Sequence, residues 1–327
     1  MSFDIETIGL SRTYKTYSKP EGILNSLKGF WQREYVYKEA LKATDLKIQH
    51  GQIVGLVGAN GAGKTTLLKL LSGLIFPSAG QAKVLGHDPW ERNSDFLRRI
   101  SILLGQKNQL WWDLPPMDSF RLLTRIYDVD AVEASRRIEQ LAEVLGCKAL
   151  LQTQLRRLSL GERMKMEIIG ALLHKPQVLF LDEPTIGLDV MAQASIREFL
   201  NHYVSEEKPT VVLTSHYMDD ITHLADRLVL LSRGKIVYDG SVDGFSQPLN
   251  KTQKLTLKLT APANEDFYYN QALLIAKGQK IASMEIAAND LGALIGSVAS
   301  KNTIQDITVE EEDFEQVIRK FLEKESR

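Results

Sequence analysis

Residues 53–65 read Ile53-Val54-Gly55-Leu56-Val57-Gly58-Ala59-Asn60-Gly61-Ala62-Gly63-Lys64-Thr65, and their order decides the fold. An apolar run as short as Ile53 to Val57 is the pattern of a strand buried on both faces of a parallel sheet. The glycine-rich stretch 58–63 is a loop, and after it Leu67, Leu68, Leu70 and Leu71 recur at helical spacing. Strand, loop and helix together match G-x-x-x-x-G-K-[ST], the phosphate-binding P-loop. Its glycines let backbone N–H groups close round phosphates while the helix points its positive end at them. Gly58, Asn60, Gly61, Gly63 and Thr66 are the candidate nucleotide contacts. Lys64 supplies the charge for the β- and γ-phosphates, and the Thr65 hydroxyl a ligand for Mg²⁺.

Three further buried-strand runs lie downstream: Val178-Leu179-Phe180-Leu181, Thr210-Val211-Val212-Leu213 and Leu228-Val229-Leu230-Leu231. Helical patterns separate them, at 196–203 and 218–225. Alternation of this kind argues a mostly parallel sheet covered on both faces. The first of these runs ends in Asp182-Glu183, which places two carboxylates at the end of a parallel strand where ligands bind. Asp182 suits a Mg²⁺ contact through water, and Glu183 is placed to orient the attacking water or take its proton.

Outside this core the pattern changes twice. Residues 92–175 carry helical periodicity at 120–127, 131–145 and 161–173 with few strand signals, and read as an inserted helical subdomain. Leu114-Pro115-Pro116 and His174-Lys175-Pro176 serve as its hinges. After Gly240 the strict alternation Lys254-Leu255-Thr256-Leu257-Lys258-Leu259 reads as a strand with one wet face. Residues 267–277 and 314–324 read as helices and 304–309 as another strand. The expected fold class is thus α/β: a P-loop NTPase core over residues 1–244 with a helical insertion, and a small C-terminal α+β domain over 245–327.

Composition excludes several classes. Of 327 residues, 44% are hydrophobic and 25% charged, as in ordinary globular proteins. Forty Lys+Arg against 41 Asp+Glu give a formal charge of −1, so no bulk attraction to nucleic acid is expected. The single cysteine, Cys147, can form no intrachain disulfide and reads as a small buried hydrophobe in a reducing compartment. No segment reaches the roughly 20 apolar residues of a membrane span, and the acidic start at 1–6 is no signal peptide. A cytoplasmic chain is expected, with any membrane role requiring a partner.

Further motifs give the chain a family likeness. Gln106 in Leu104-Gly105-Gln106-Lys107, Leu158-Ser159-Leu160-Gly161-Glu162, Ile186-Gly187-Leu188-Asp189 and His216 in Thr214-Ser215-His216 follow in that order around Asp182-Glu183. In these motifs, over about residues 3–245, the chain resembles the ATP-binding cassette family, the ATPase subunits of ABC transporters. Gln106 matches the Q-loop, residues 158–162 the LSGGQ signature, 186–189 the D-loop and His216 the switch histidine. Tyr35, five residues before Ala40-Leu41, matches the aromatic that stacks on adenine, with Tyr37 as the competing choice.

The resemblance implies a site shared between two cassettes. One holds ATP and Mg²⁺ on its P-loop; a second, head to tail, presents Ser159 and the backbone of Gly161 to the γ-phosphate. Glu183, His216 and Gln106 are then the catalytic residues, with Thr65, Gln106 and Asp182 at the metal. Leu160 replaces a glycine of the signature and Glu162 its glutamine, which sets a negative charge near a polyphosphate. Leucine at this place recurs in the drug- and viologen-exporter-like branch, which partners with ABC-2-type permeases. The resemblance accordingly implies an ATP-hydrolysing motor at the cytoplasmic face of a membrane; the alternative is a soluble ABC ATPase acting on ribosomes or DNA, where two cassettes or long coiled coils are usual.

Two segments bear on the partner. The loop 106–115 is unusually aromatic, and Trp111 and Trp112 read either as anchors for the membrane subunit or, for one of the two, as subdomain core. Ile23, Leu24, Leu27, Phe30 and Trp31 recur at helical spacing within 18–37, as an amphipathic helix lying on the permease or headgroups, or packed on its own domain.

Overall fold

A computed structural model describes residues 3–17, 35–105, 107–215, 217–246, 252–269, 272–287, 290–301 and 303–311, with Ile318 and Phe321. The chain divides into two compact units, Met1–Gly240 and Ser241–Arg327.

In the first unit the chain runs β1 (Phe3–Tyr17), β2 (Tyr35–Gln49), β3 (Ile53–Val57), α1 (Lys64–Leu71), β4 (Ala79–Val84), α2 (Ser94–Arg99) and β5 (Ile100–Leu104). Then come α3 (Pro116–Ile126), α4 (Ala131–Val144), α5 (Leu160–Leu172), β6 (Val178–Asp182), α6 (Val190–Glu207) and β7 (Thr210–Thr214). The unit closes with α7 (Met218–Leu224), β8 (Arg227–Ser232) and β9 (Lys235–Ser241).

A six-stranded sheet in the order β5-β6-β7-β3-β8-β9 forms its centre. The pairs from β5 through to β8 are parallel, and β3, between β7 and β8, is buried from Val54 to Val57. Such strands need helices on their faces, which explains their unbroken apolar sequence. Arg233 and Gly234, both at positive φ (48° and 78°), turn the chain from β8 into β9 as a two-residue hairpin does. A second sheet, β2-β1-β4, is antiparallel throughout. Ile5, Leu10, Leu41, Leu46 and Ile48 from it share one core with Leu67, Leu70 and Leu71 of α1 and with Phe180. Each such side chain, fully buried, contributes roughly 2 kcal/mol.

Helices α3 to α5 make up the helical layer. Pro116 opens α3 at its first turn, where its missing N–H costs nothing, and Asp130 caps α4 by accepting from the N–H groups of Val132 and Glu133. Gly170 of α5 lets Leu110 and Leu123 come close: a Cβ there would lie 3.2 and 3.3 Å from their methyl carbons. Buried Arg137 of α4 donates to Leu172 O (2.9 Å), to the Glu207 carboxylate (2.8 Å) and to the Tyr203 hydroxyl (3.2 Å), joining three helices. The expected helical stretch 92–175 needs one correction. Ile100–Leu104 is a strand of the central sheet, paired in parallel with β6, so after the short helix α2 the chain returns to the sheet and helices α3 to α5 begin only at Pro116. Its short apolar run has no periodicity that tells a buried strand from a helix, and its partner lies far away in sequence.

In the second unit, α8 (Val242–Ser246), β10 (Thr252–Leu259), β11 (Phe267–Tyr269), β12 (Ala272–Ile275), β13 (Ile281–Ala287), α9 (Leu291–Ala299) and β14 (Ile304–Glu311) follow in order. An antiparallel sheet β13-β10-β14 buries Leu255, Leu257 and Leu259 against Leu294 and Val298 of α9. The helix expected at 267–277 is instead the antiparallel pair β11 and β12, with Phe267 opposite Ile275. Aromatic and branched residues there suit a half-buried sheet, with Phe267 and Ile275 inward and Tyr268 and Leu273 outward. Of the helix expected at 314–324, only Ile318 and Phe321 are described, both helical. The amphipathic segment lies outside the described residues up to residue 34, and Tyr35–Tyr37 belong to β2. Cys147 is buried, and burial pushes its thiol up to about 11.

Candidate nucleotide site

Parallel pairing brings the chemistry together. Leu104 pairs with Asp182, Asp182 with Thr214 and Leu56 with Thr214, so the carboxyl ends of β5, β6, β7 and β3 lie level. The loops leaving those ends carry Gly105, Glu183, Ser215 and the P-loop. This is the edge of an open α/β sheet where ligands bind.

The P-loop is shaped by two crowded glycines. Gly58 has φ 154°, and a Cβ on it would lie 2.2 Å from Leu231 O. Gly63 has φ 113°, and its Cβ would lie 2.6 Å from Ala40 O. Gly63 is also the N-cap of α1 and provides no side-chain cap, so the first-turn N–H groups remain for an anion. Lys64 is buried, and its ammonium donates to Gly58 O (2.7 Å) and Ala59 O (3.3 Å). Burial pushes the Lys64 pKa down, while the Glu183 and Asp182 carboxylates pull it up.

Asp182 Oδ1 accepts from the hydroxyls of Thr65 (3.0 Å) and Thr214 (2.7 Å), tying P-loop, β6 and β7 through one atom. Hydroxyl and carboxylate oxygens are the hard donors Mg²⁺ prefers, so Thr65 and Asp182 fit that ion. Glu183 stands in the left-handed region at φ 56°, a strain typical of functional positions. Its N–H donates to Thr214 O (3.0 Å) and Oγ1 (3.1 Å). Gly105 makes room for that turn, because a Cβ there would lie 2.1 Å from Glu183 O.

Between the P-loop and the β1–β2 ribbon lies an open cleft of about 280 Å³. Asn60, Gly61, Gly63, Lys64, Thr65, Thr66 and Glu183 line it, together with Tyr14, Lys38 and Ala40. The sequence expectation placed Tyr35 here, but Tyr35 is not on the lining. It lies on β2 with the Lys15 ammonium 3.7 Å above its ring, and Tyr37 is likewise exposed. Tyr14 stands in its place, opposite Lys38 in the β1–β2 register, with the Arg12 guanidinium 4.7 Å from its ring. Gln106 and His216 lie outside the described residues.

Ser159 and Gly161 do not line the cleft. Ser159 caps α5 in a reciprocal capping box, its hydroxyl and N–H both donating to Glu162 Oε2 at 2.8 Å. Leu160 is exposed and packs towards Gly187, where a Cβ would lie 3.3 Å from its methyl. Trp111 and Trp112 are each 42% exposed, so neither is core. The Arg163 guanidinium of α5 lies 4.8 Å from the Trp112 ring.

One residue escaped the sequence reading. Asp220 of α7 is completely buried and accepts from the hydroxyls of Thr185 and Ser215 (the latter 2.6 Å) and from Arg197 (3.1 Å). It fixes the loop after β6 to the loop after β7. Apolar Met218, Ile221 and Leu224 mark α7 as a helix but do not hint at this role, because Thr185 and Arg197 lie 35 and 23 residues away in sequence.

Comparison with known proteins accords with this geometry. The ABC transporter family signature matches residues 41–186. The ABC transporter ATP-binding protein NatA of Bacillus subtilis (strain 168) is 32% identical over 216 residues, which are 66% of this chain and 87% of that protein. The chain belongs to the ABC transporter family. It is an ATP-binding cassette, and ATP hydrolysis coupled to transport is its activity. The daunorubicin resistance ATP-binding protein DrrA3 of Streptomyces coeruleorubidus is 34% identical over 212 residues, 65% of this cassette chain and 66% of DrrA3. In fold, the dimeric post-hydrolysis ATP-binding cassette MJ0796, bound to ADP and Pi, superposes with a TM-score of 0.61 at 21% identity, covering 73% of this chain and 98% of that one.

Proposed function

We propose that this cassette powers an ABC-2-type permease as an exporter, with ATP and Mg²⁺ clamped between two copies placed head to tail. One observation carries the shared site: the cleft holds Lys64, Thr65 and Glu183, while Ser159 and Gly161 stand on a separate, outward helix start. A second copy would bring that helix start to the open side of the cleft, where its N–H groups favour a phosphate.

The roles follow from position. Lys64 and the P-loop N–H groups hold the β- and γ-phosphates, and Tyr14 provides the ring for adenine. Thr65 and Asp182 would hold Mg²⁺, which supplies charge neutralisation on the phosphate oxygens when bound. Glu183, turned into the cleft by its left-handed backbone, accepts the proton of the attacking water. His216 and Gln106 complete the catalytic set through their places in the family motifs.

The export direction draws support from DrrA3, whose name ties it to drug resistance. No helix among the described residues is long and apolar enough to cross a membrane. In this reading the permease holds the cassette at the cytoplasmic face. A groove between the core and helices α3 and α5, lined by Leu97, Ile102, Leu110, Leu123 and Ile126, is the place for a permease helix, with Trp111 and Trp112 exposed nearby in sequence.

Glu183→Gln tests the shared site. With ATP and Mg²⁺ the variant should run as a stable dimer in light scattering, with turnover lost. A variant that stays monomeric at saturating ATP, or that turns over normally, contradicts the proposal.

A further inference from the structure

The groove beside α5 contains a carboxylate that is only half satisfied. Glu167 is 5% exposed, and its Oε1 accepts from the backbone N–H groups of Gln109 (3.0 Å) and Leu110 (3.2 Å). Its Oε2 has no partner among the described residues, and Glu167 lines a cavity of about 260 Å³ that is otherwise mostly apolar. Arg92, the other charged residue of the lining, is engaged with Gly73 O at 2.8 Å. Burial pushes the Glu167 carboxyl up, and no charged neighbour offsets this.

A helix that filled this groove would strip the remaining water from Oε2. An ionised oxygen left there without a donor is costly, so a partner that binds well must supply one. A guanidinium is the donor best matched to a carboxylate in a dry site.

We infer that Glu167 is the specificity determinant of this groove, and that its Oε2 receives a cationic side chain, an arginine by preference, from the permease helix seated there. The inference rests on the reading of the groove as the permease site and adds the chemistry by which it selects its partner. Glu167 lies eight residues after Ser159, about 12 Å along the same helix, so the contact would act on the element that carries the signature serine.

Two acetylated 14-residue amphipathic helical peptides provide the probe, identical except for arginine or citrulline at one central position. Isothermal titration against the full chain should find the arginine peptide at least tenfold tighter, and Glu167→Gln should bring the two to parity. Glutamine keeps an acceptor for the Gln109 and Leu110 N–H groups, and a matched thermal melt confirms that the groove is intact. Equal binding of both peptides to the unsubstituted protein overturns the role of Glu167 but leaves the groove as a helix site. An arginine preference that survives in Glu167→Gln places the guanidinium elsewhere and also overturns it. Binding of neither peptide overturns the groove as a helix acceptor and this inference with it.

Discussion

The Ser159 hydroxyl and Glu162 Oε2 stand 2.8 Å apart, so the signature serine donates to a carboxylate of its own helix. The Ser159 backbone N–H and hydroxyl hold the Glu162 carboxyl below its usual range, and it stays ionised at neutral pH. In the proposed dimer the γ-phosphate seeks the same serine and the same helix start. Glu162 is therefore a competitor. Glu162→Gln removes the charge and can keep the capping box. Its apparent KM for ATP should fall at least threefold, with a smaller gain at high salt; an unchanged KM contradicts the competition.

Tyr14, not Tyr35, shares the cleft with the P-loop. Losing a ring stacked on a base costs about 1–3 kcal/mol. Tyr14→Ala should weaken nucleotide binding roughly tenfold, measured by titration with a fluorescent ATP analogue, while Tyr35→Ala binds normally. The reverse result would restore Tyr35 as the adenine platform.

The P-loop glycines are not equivalent. Gly58 and Gly63 face carbonyl oxygens closer than any Cβ tolerates, whereas a Cβ on Gly61, at φ 79°, meets nothing within 4 Å. In nucleotide-free protein Gly61→Ala should cost only about 1–2 kcal/mol of backbone strain. Gly58→Ala adds a clash with Leu231 O and should cost clearly more. Urea unfolding of the two variants ranks them, and equal losses would show that crowding does not shape the loop.

His174 makes stability depend on pH. Its Nε2 lies 2.9 Å from Ile100 O, which assigns the proton to that nitrogen, and its ring stacks on Tyr127 at 3.7 Å. Nδ1 is buried with no partner among the described residues, and burial pushes the pKa from 6.5 down to about 4. Above pH 6.5 the ring is neutral folded and unfolded, so its stabilising contribution is complete. Between 6.5 and about 4 only the unfolded chain takes the proton, and stability falls with pH by about 2–3 kcal/mol. The stability lost on His174→Gln, measured by urea unfolding, should shrink from pH 7 to pH 4.5. A constant difference would contradict the assignment.

How much could be read in advance depended on how local the signal was. The P-loop and the Asp182-Glu183 strand end each lie within one short stretch, where spacing and turn chemistry suffice, whereas Ser159 was reached through the family resemblance of residues 158–162. Tyr14 was missed because its place depends on the β1–β2 register that sets it against Lys38, which no local pattern discloses. Strand β5 and the antiparallel pair β11 and β12 were misread because short apolar runs carry too little periodicity to separate strand from helix. Helix α9 was overlooked; Gly292 and Gly296 lower its helix propensity, and packing of Leu294 and Val298 on the sheet supports it instead. Glu167 and Asp220 owe their meaning to burial, which a sequence does not display.

Mixing two inactive variants tests the shared site most directly. Lys64→Ala removes the phosphate cation and Ser159→Ala the serine of the opposing helix, so each alone should lack turnover. A mixed dimer contains one site with both groups intact. If the nucleotide lies between two copies, ATPase activity reappears on mixing and peaks near equimolar amounts. If no activity returns at any ratio, or if Ser159→Ala alone hydrolyses ATP at the full rate, the two groups do not belong to one shared site.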